Sequence, residues 1–350
     1  MTAPTNETSN QAGTASLPPA DSTSHNDRIL SVLYRFGLLG IVAATIAFFA
    51  ITEPAFGTYR NFLIILQTVA ITAIVALGVT HSLVVGGFDL SIGANVGFVV
   101  MATTLVMVRF ELPGVVAVLV GLACGVLIGL ANGLLIVKAR IPDLLATLGL
   151  LFVLQGAALF LTEGQSVATG AKFDGVASTG VIDDFFRSLG QGKVLGIPAP
   201  VIVMAVLAVS AYVFLEHTKW GRSLYAIGGN PEAARLAGVP VDRYRVLAYV
   251  ISGLFASIGG ILLAARLGRG DVGAGAPFLL DAVAAALIGF AVLGLNKPNA
   301  LGSLVGAVFV GVLLNGLTMR NWPFYTQDLA QGLLLVAALL LSFGLKRSSR

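Results

Sequence analysis

The feature that most constrains this chain is a succession of long apolar runs with short polar joints between them. Ten such runs fall at about 32–51, 61–85, 92–108, 115–137, 143–161, 199–216, 246–266, 280–295, 300–319 and 325–345. Each is near the roughly 20 residues that a helix needs to cross a bilayer. The runs are continuous, whereas β-barrel strands would alternate polar and apolar positions. The expected fold is therefore all-α, a polytopic transmembrane helical bundle of about ten spans. Composition agrees: 57% of residues are hydrophobic and 11% are charged, against about 25% charged in a globular protein. The 42 glycines of 350 residues suit helices that approach closely. The third and eighth runs are short, and either is a candidate for a broken or partly re-entrant helix.

Residues 1–27 are polar and rich in Ser, Thr, Asn and Pro, with no basic stretch leading into an apolar core. They read as a disordered cytoplasmic tail, ahead of a transmembrane domain over 28–350. A hydrophilic segment at 217–245 interrupts that domain. Lys and Arg set orientation. Placing the N-terminus inside puts Arg28, Arg35, Lys138, Arg140, Lys219, Arg222, Arg235, Arg243, Arg245 and Lys297 on the inner side. Both termini are then cytoplasmic. The net charge is +4 with no long basic run, so no nucleic-acid partner is expected. The lone Cys124 excludes an intramolecular disulfide. An internal echo exists. Ala131-Asn132-Gly133-Leu134 is followed by Pro142, and Leu314-Asn315-Gly316-Leu317 by Pro323. Five spans separate them, which is what an inverted 5+5 repeat would produce and what chance would also allow.

The densest motif is Gly86-Gly87-Phe88-Asp89-Leu90-Ser91-Ile92-Gly93, set between two apolar runs with almost no spacer. Gly86 and Gly87 free the backbone and end a helix. Asp89 suits the N-cap of a helix beginning at Leu90. Bare backbone at membrane depth is tolerated only where protein or a water-filled cavity satisfies it. Two readings stand: a helix break lining a translocation path with Asp89 and Ser91 as its polar groups, or a tight turn that Asp89 merely caps. Asn132, Asp281 and Asn315 join the path-lining set on the first reading. Amides inside spans, such as Asn132, Asn315, Gln67 and Gln155, also bond helix to helix. Asp281 either caps the eighth span or faces the outer mouth.

The second motif is Gly229-Asn230-Pro231-Glu232-Ala233-Ala234-Arg235-Leu236-Ala237-Gly238. Asn230 can cap, Pro231 fits the first helical position, Glu232 suits the positive end of the dipole, and Gly238 suits the left-handed terminus. A helix of about two turns is too short to stand alone, so it docks on something. That is either a partner ATPase or the protein's own bundle. Signatures of chemistry are absent. The pair Gly192-Lys193 is followed by Val194 and has Arg187 where a phosphate loop needs glycine. There is no Gly-x-Ser-x-Gly elbow. His25, His81 and His217 form no metal set. No catalytic residue, metal or bound cofactor is expected in this chain.

Together these residues carry a resemblance. The motif at 86–93 is joined by Ala131–Leu134 with Ile141-Pro142 and Ala146-Thr147-Leu148-Gly149. Thr218-Lys219-Trp220-Gly221-Arg222, Tyr225–Asn230, Ala233–Gly238 and Leu280–Ala285 complete the set. Over about 35–345 the chain resembles the permease subunits of bacterial ATP-binding-cassette importers for monosaccharides. The resemblance implies import by alternating access through the cytoplasmic membrane, with ATP used by a partner chain. It also implies a second permease subunit (homodimer or heterodimer), a cytoplasmic ATPase touching the 229–238 loop, and a periplasmic sugar-binding protein. One stretch departs from the family pattern: Leu293–Asn299 stands where a Gly-Gly-x-Gly turn is usual. Rival readings are a branched-chain amino acid permease of the same superfamily, an ion-coupled secondary transporter and a membrane-embedded enzyme. Sparse intramembrane carboxylates and the capped loop helix disfavour the second, and missing nucleophile and metal clusters the third.

Overall fold

A computed structural model describes residues 40–291 and 297–323, with 325–327, 329, 330, 332, 333 and 336 beyond them. The polar N-terminal tail, most of the tenth run and Leu293–Asn296 of the departing stretch lie outside the described residues. The helices are α1 Gly40–Thr52, α2 Tyr59–Val84, α3 Ile92–Val108, α4 Gly114–Val137, α5 Asp143–Leu161, α6 Asp184–Gln191 and α7 Ala199–Tyr212. Then come α8 Lys219–Gly229, α9 Pro231–Leu236, α10 Val241–Leu267, α11 Ala276–Ala291 and α12 Ala300–Met319. Among the described residues, six helical segments are long and apolar enough to cross a membrane: α2, α4, α5, α10, α12, and α7 with its continuation to His217. α1, α3 and α11 are apolar but shorter. The protein is a multi-pass helical membrane bundle. The joint at 162–198 holds what the apolar pattern could not show: two small antiparallel hairpins, β1 Lys172–Phe173 with β2 Val176–Ala177 and β3 Lys193–Val194 with β4 Ile197–Pro198, flanking α6.

Glycine decides how closely the central helices approach. In α4, Gly121, Gly125, Gly129 and Gly133 recur every four residues and so share one face. A Cβ at these four positions would meet, in turn, Ile261, Ser257, the Tyr249–Val250 backbone and Val246. The partner numbers fall as the glycine numbers rise, so α4 and α10 run antiparallel with their backbones nearly touching. On the far side of the bundle, Gly302 and Gly306 of α12 press on Gly289 and Ala285 of α11. Close backbone approach of this kind is the main attraction between helices in lipid, where apolar burial supplies none.

Helix partners also exchange in an ordered way. α4 packs on α3 and α10, while α12 packs on α11 and α2; α3 packs on α10, while α11 packs on α2. Swapping α2 with α10, α3 with α11 and α4 with α12 leaves these pairings unchanged. That is the pattern an inverted repeat requires. It holds for the packing, whereas the repeated Asn-Gly-Leu motifs find unrelated partners, as described below.

The α4 glycines predict a sharp contrast. Gly129→Leu forces a side chain into the Tyr249–Val250 backbone, and overpacking costs about 1–3 kcal/mol or more. Gly149→Leu on α5 has open space around it. The first variant should yield little monodisperse protein on size exclusion after mild heating, and the second should match the parent.

Candidate functional site

α2 ends at Val84, and the chain leaves helical geometry for the next several residues. Gly86 takes φ +76°, a left-handed turn that a side chain resists. At Gly87 a Cβ would collide with the Tyr249 hydroxyl. α3 then begins at Ile92, two residues later than a cap at Asp89 would place it. Asp89 instead closes the turn before the helix. Its Oδ1 accepts from the Ser91 amide at 3.0 Å and the Ser91 hydroxyl at 2.7 Å, and its Oδ2 accepts from the Ser252 hydroxyl of α10 at 2.8 Å. Asn132 of α4 donates to Ser91 Oγ at 2.7 Å and stands 3.5 Å from Asp89 Oδ1. α5 holds the other side: Asp143 accepts from the Phe88 amide at 2.7 Å, and Thr147 accepts from the Leu90 amide at 3.1 Å.

Asp89 is 2% exposed, and Ser91, Asn132, Thr147 and Ser252 are equally buried. The break is no surface turn. Ser252 stands eleven residues into α10, about 16 Å from its start at 1.5 Å per residue. Four of the sequence-identified residues, Gly87, Asp89, Ser91 and Asn132, are thus brought together, with Gly86 at the exposed rim. Ser252, Thr147, Asp143 and Tyr249 complete the cluster and were not anticipated. Isolated hydroxyls in apolar helices carry no spacing signal.

Asn315 and Asp281 lie elsewhere. Asn315 of α12 exchanges two hydrogen bonds of 3.1 Å with Asn61 at the start of α2, a helix-to-helix amide pair. Asp281 is buried in α11, which begins five residues earlier at Ala276. Asp281 therefore does not cap that helix. Thr80 and Ser303, 2.7 Å apart, form a further buried link between α2 and α12.

The hydrophilic segment is built from caps. After α7 the chain makes a wide π turn over Val213–His217. Thr218 starts α8 by accepting from the Gly221 amide at 3.1 Å. Asn230 starts α9 by accepting from the Glu232 and Ala233 amides at 3.1 and 3.0 Å. α9 has six residues, fewer than the two turns expected. Gly238 follows it at φ +83°. Arg235 pairs with Glu232 at 3.0 Å and Asp242 at 3.4 Å. Gly229, Asn230, Glu232, Ala233, Arg235 and Gly238 are exposed, Ala234 faces inward, and Leu236 is 90% exposed.

This segment touches the break directly. A Cβ on Gly228 would collide with the Val84 carbonyl. It is also clamped to the α11–α12 joint. Lys297 Nζ pairs with Glu216 at 3.0 Å and lies 4.2 Å above the Tyr225 ring. The Tyr225 hydroxyl lies 2.9 Å from Glu216 Oε1 and 2.8 Å from the Pro298 carbonyl. Burial, then the Glu216 carboxylate, pushes the Tyr225 phenol well above its ordinary pKa, so it remains a donor. Lys297 belongs to the stretch that departs from the family turn. A charged clamp stands there.

A many-helix membrane bundle with a backbone break braced by side chains of three helices and an exposed, capped loop helix has the build of a transport permease. The comparisons agree. Residues 61–339 match the family described as "Branched-chain amino acid transport system / permease component", and the chain belongs to that family. It is 34% identical to the ribose import permease protein RbsC of Escherichia coli (strain K12) over 295 residues, 84% of this chain and 89% of that protein. It is 33% identical to RbsC of Bacillus subtilis (strain 168) over 331 residues, 94% of this chain and 98% of that protein. It is 31% identical to the L-arabinose transport system permease protein AraH of Escherichia coli (strain K12), over 87% of this chain and 89% of that protein. No solved structure matches.

The break predicts how Asp89 variants fold. In Asp89→Asn the remaining oxygen still accepts from Ser91, and the new amide donates to Ser252, whose hydroxyl turns. Asp89→Ala orphans the buried Ser91 amide and Ser252 hydroxyl, at about 1–3 kcal/mol each. Melting of the purified variants in one detergent should place Asn near the parent and Ala clearly below it.

Proposed function

We propose that this chain is the permease subunit of an ATP-binding-cassette importer that carries a monosaccharide or a close relative across the bacterial cytoplasmic membrane. One observation carries the reading: the chain matches sugar import permeases over nearly its whole length and theirs. The family's description names branched-chain amino acids, but these relatives are named for ribose and arabinose. The chain itself hydrolyses nothing and holds no cofactor, and a cytoplasmic ATPase subunit supplies the energy. A periplasmic sugar-binding protein delivers the substrate to the 162–198 face. Both termini lie in the cytoplasm. A second permease subunit, identical or related, completes the pathway. The exposure of α5 supports that. It is the least enclosed of the six long helices, and it presents Gln155 outward, where lipid alone would leave an amide unsatisfied.

In this reading Gly86, Gly87, Asp89, Ser91 and Asn132 form the wall element of the path, with Asp281 and Asn315 on its other half. Asn132 Oδ1 is buried without a hydrogen-bond partner, an acceptor in reserve beside the break. Gly229, Asn230, Glu232, Ala233, Ala234, Arg235 and Gly238 form the coupling element that meets the ATPase. The contact of Gly228 with the Val84 carbonyl gives that element a short mechanical route to the break.

Uptake tests the wall. Membrane-inserted Asp89→Asn at parental abundance is expected to fold, bind its ATPase and lose most sugar uptake. Near-normal uptake would leave Asp89 with its turn-closing role alone.

The coupling surface is tested at Leu236, an apolar side chain that is 90% exposed, with none of the described residues covering it. Leu236→Glu should leave the melting curve unchanged, while copurification of the ATPase and uptake both fall about tenfold, the loss of one well-packed apolar anchor. A variant that copurifies and transports normally would show α9 to be an interfacial helix only.

A further inference from the structure

At the α9 end of the bundle, a cavity of about 630 Å³ opens between the α4–α5 joint, α9 and the first two turns of α10. Its charged lining is Lys138, Arg140, Arg235 and Arg245 against Asp143 and Asp242. The two acids are already engaged. Asp143 accepts from the Phe88 amide, and Asp242 pairs with Arg235. Lys138, Arg140 and Arg245 have no ion pair among the described residues. Arg245 Nε is buried with no hydrogen-bond partner, a donor that folding alone would be expected to satisfy.

The surroundings select the ligand. The cavity lies where α4 ends and α5 begins, at the edge of the apolar bundle. Ile141 lines it, and Leu144 and Leu145 of α5 continue from it with 51% and 61% of their surface exposed. A group that fits must present an anion to the arginines and a hydrocarbon chain to the leucines. Guanidinium groups match the oxygens of a phosphate ester in pairs. Basic pockets between spanning helices take lipid headgroups for the same reason.

We propose that this cavity binds the phosphate headgroup of an anionic phospholipid, with Arg140 and Arg245 as its principal ligands. Because Asp143 both lines the cavity and holds the Phe88 amide, a bound headgroup sits one side chain from the break. The lipid thereby fixes the α5 anchor of the break. This assignment does not depend on the transported solute.

Native mass spectrometry of the full-length chain in neutral detergent tests it, with phosphatidylglycerol and phosphatidylcholine titrated separately and inorganic phosphate as a third arm. Phosphatidylglycerol should be retained at one molecule per chain over phosphatidylcholine. Arg140→Gln and Arg245→Gln should each weaken that retention about tenfold, the loss of one charge-assisted hydrogen bond. Arg140 is exposed and folds without its charge, so its variant stands if Arg245→Gln fails to fold. Lys219→Gln, an exposed cation at the same end, should change nothing. Equal retention of both lipids, or an equal loss in Lys219→Gln and Arg140→Gln, would reduce the effect to general surface attraction and overturn the site. Inorganic phosphate displacing phosphatidylglycerol completely at millimolar concentration would overturn the lipid assignment in favour of a free anion.

Discussion

Backbone that leaves a helix inside a membrane protein must find its hydrogen bonds in the protein, because hydrocarbon offers none. The stretch from Val85 to Ser91 is such backbone, and its surroundings can be understood as the answer to that requirement. Asp143 and Thr147 of α5 take the amides of Phe88 and Leu90. Asp89 takes the amide of Ser91 and is in turn held by Ser252 of α10, while Asn132 of α4 ties into Ser91. Three helices distant in sequence therefore converge on one break, and moving any of them strands polar groups at a cost of about 1–3 kcal/mol each.

That convergence rests on glycine. Asn132 and Ser252 are short, and they meet around Ser91 and Asp89 because α4 and α10 lie almost backbone to backbone. The α4 stripe from Gly121 to Gly133 creates that approach, and Gly253, the neighbour of Ser252, receives it from the other side. Larger residues would separate the helices and pull the two donors away from the break. The small-residue content, a packing feature, is thus also what makes the polar cluster possible.

The hydrophilic segment continues the same structure outward. α8 places Gly228 against the Val84 carbonyl, and α9 hangs from α8 by the Asn230 cap. The Glu216–Lys297–Tyr225 clamp fixes the base of this arm to the α11–α12 joint. Force applied to α9 has rigid, capped pieces to travel through and reaches the break after one helix. Such a route is the one the proposed coupling through α9 would use.

Much of this was legible in the residues. Runs such as 92–108, 143–161 and 300–319 became helices with those same bounds, because apolar length and the flanking Pro or Gly determine where a spanning helix must stop. The Asn230 and Gly238 ends of the loop helix were equally readable, since capping is local chemistry. The family could be named from its motifs for the same reason. Tertiary structure alone decided what the polar side chains do. Asn132 and Asn315 share a local motif, yet one serves the break and the other pairs with Asn61. Asp281 proved to lie within a helix that starts earlier than its apolar run. Ser252, Asp143 and Thr147 gave no sign of belonging with Asp89, because their roles come from helices packed side by side. Lys297 likewise shows its purpose only beside Glu216 and Tyr225. Sequence determines which segments leave water and how each begins and ends. Which polar group meets which is decided by close packing between helices, a long-range property that no local pattern encodes.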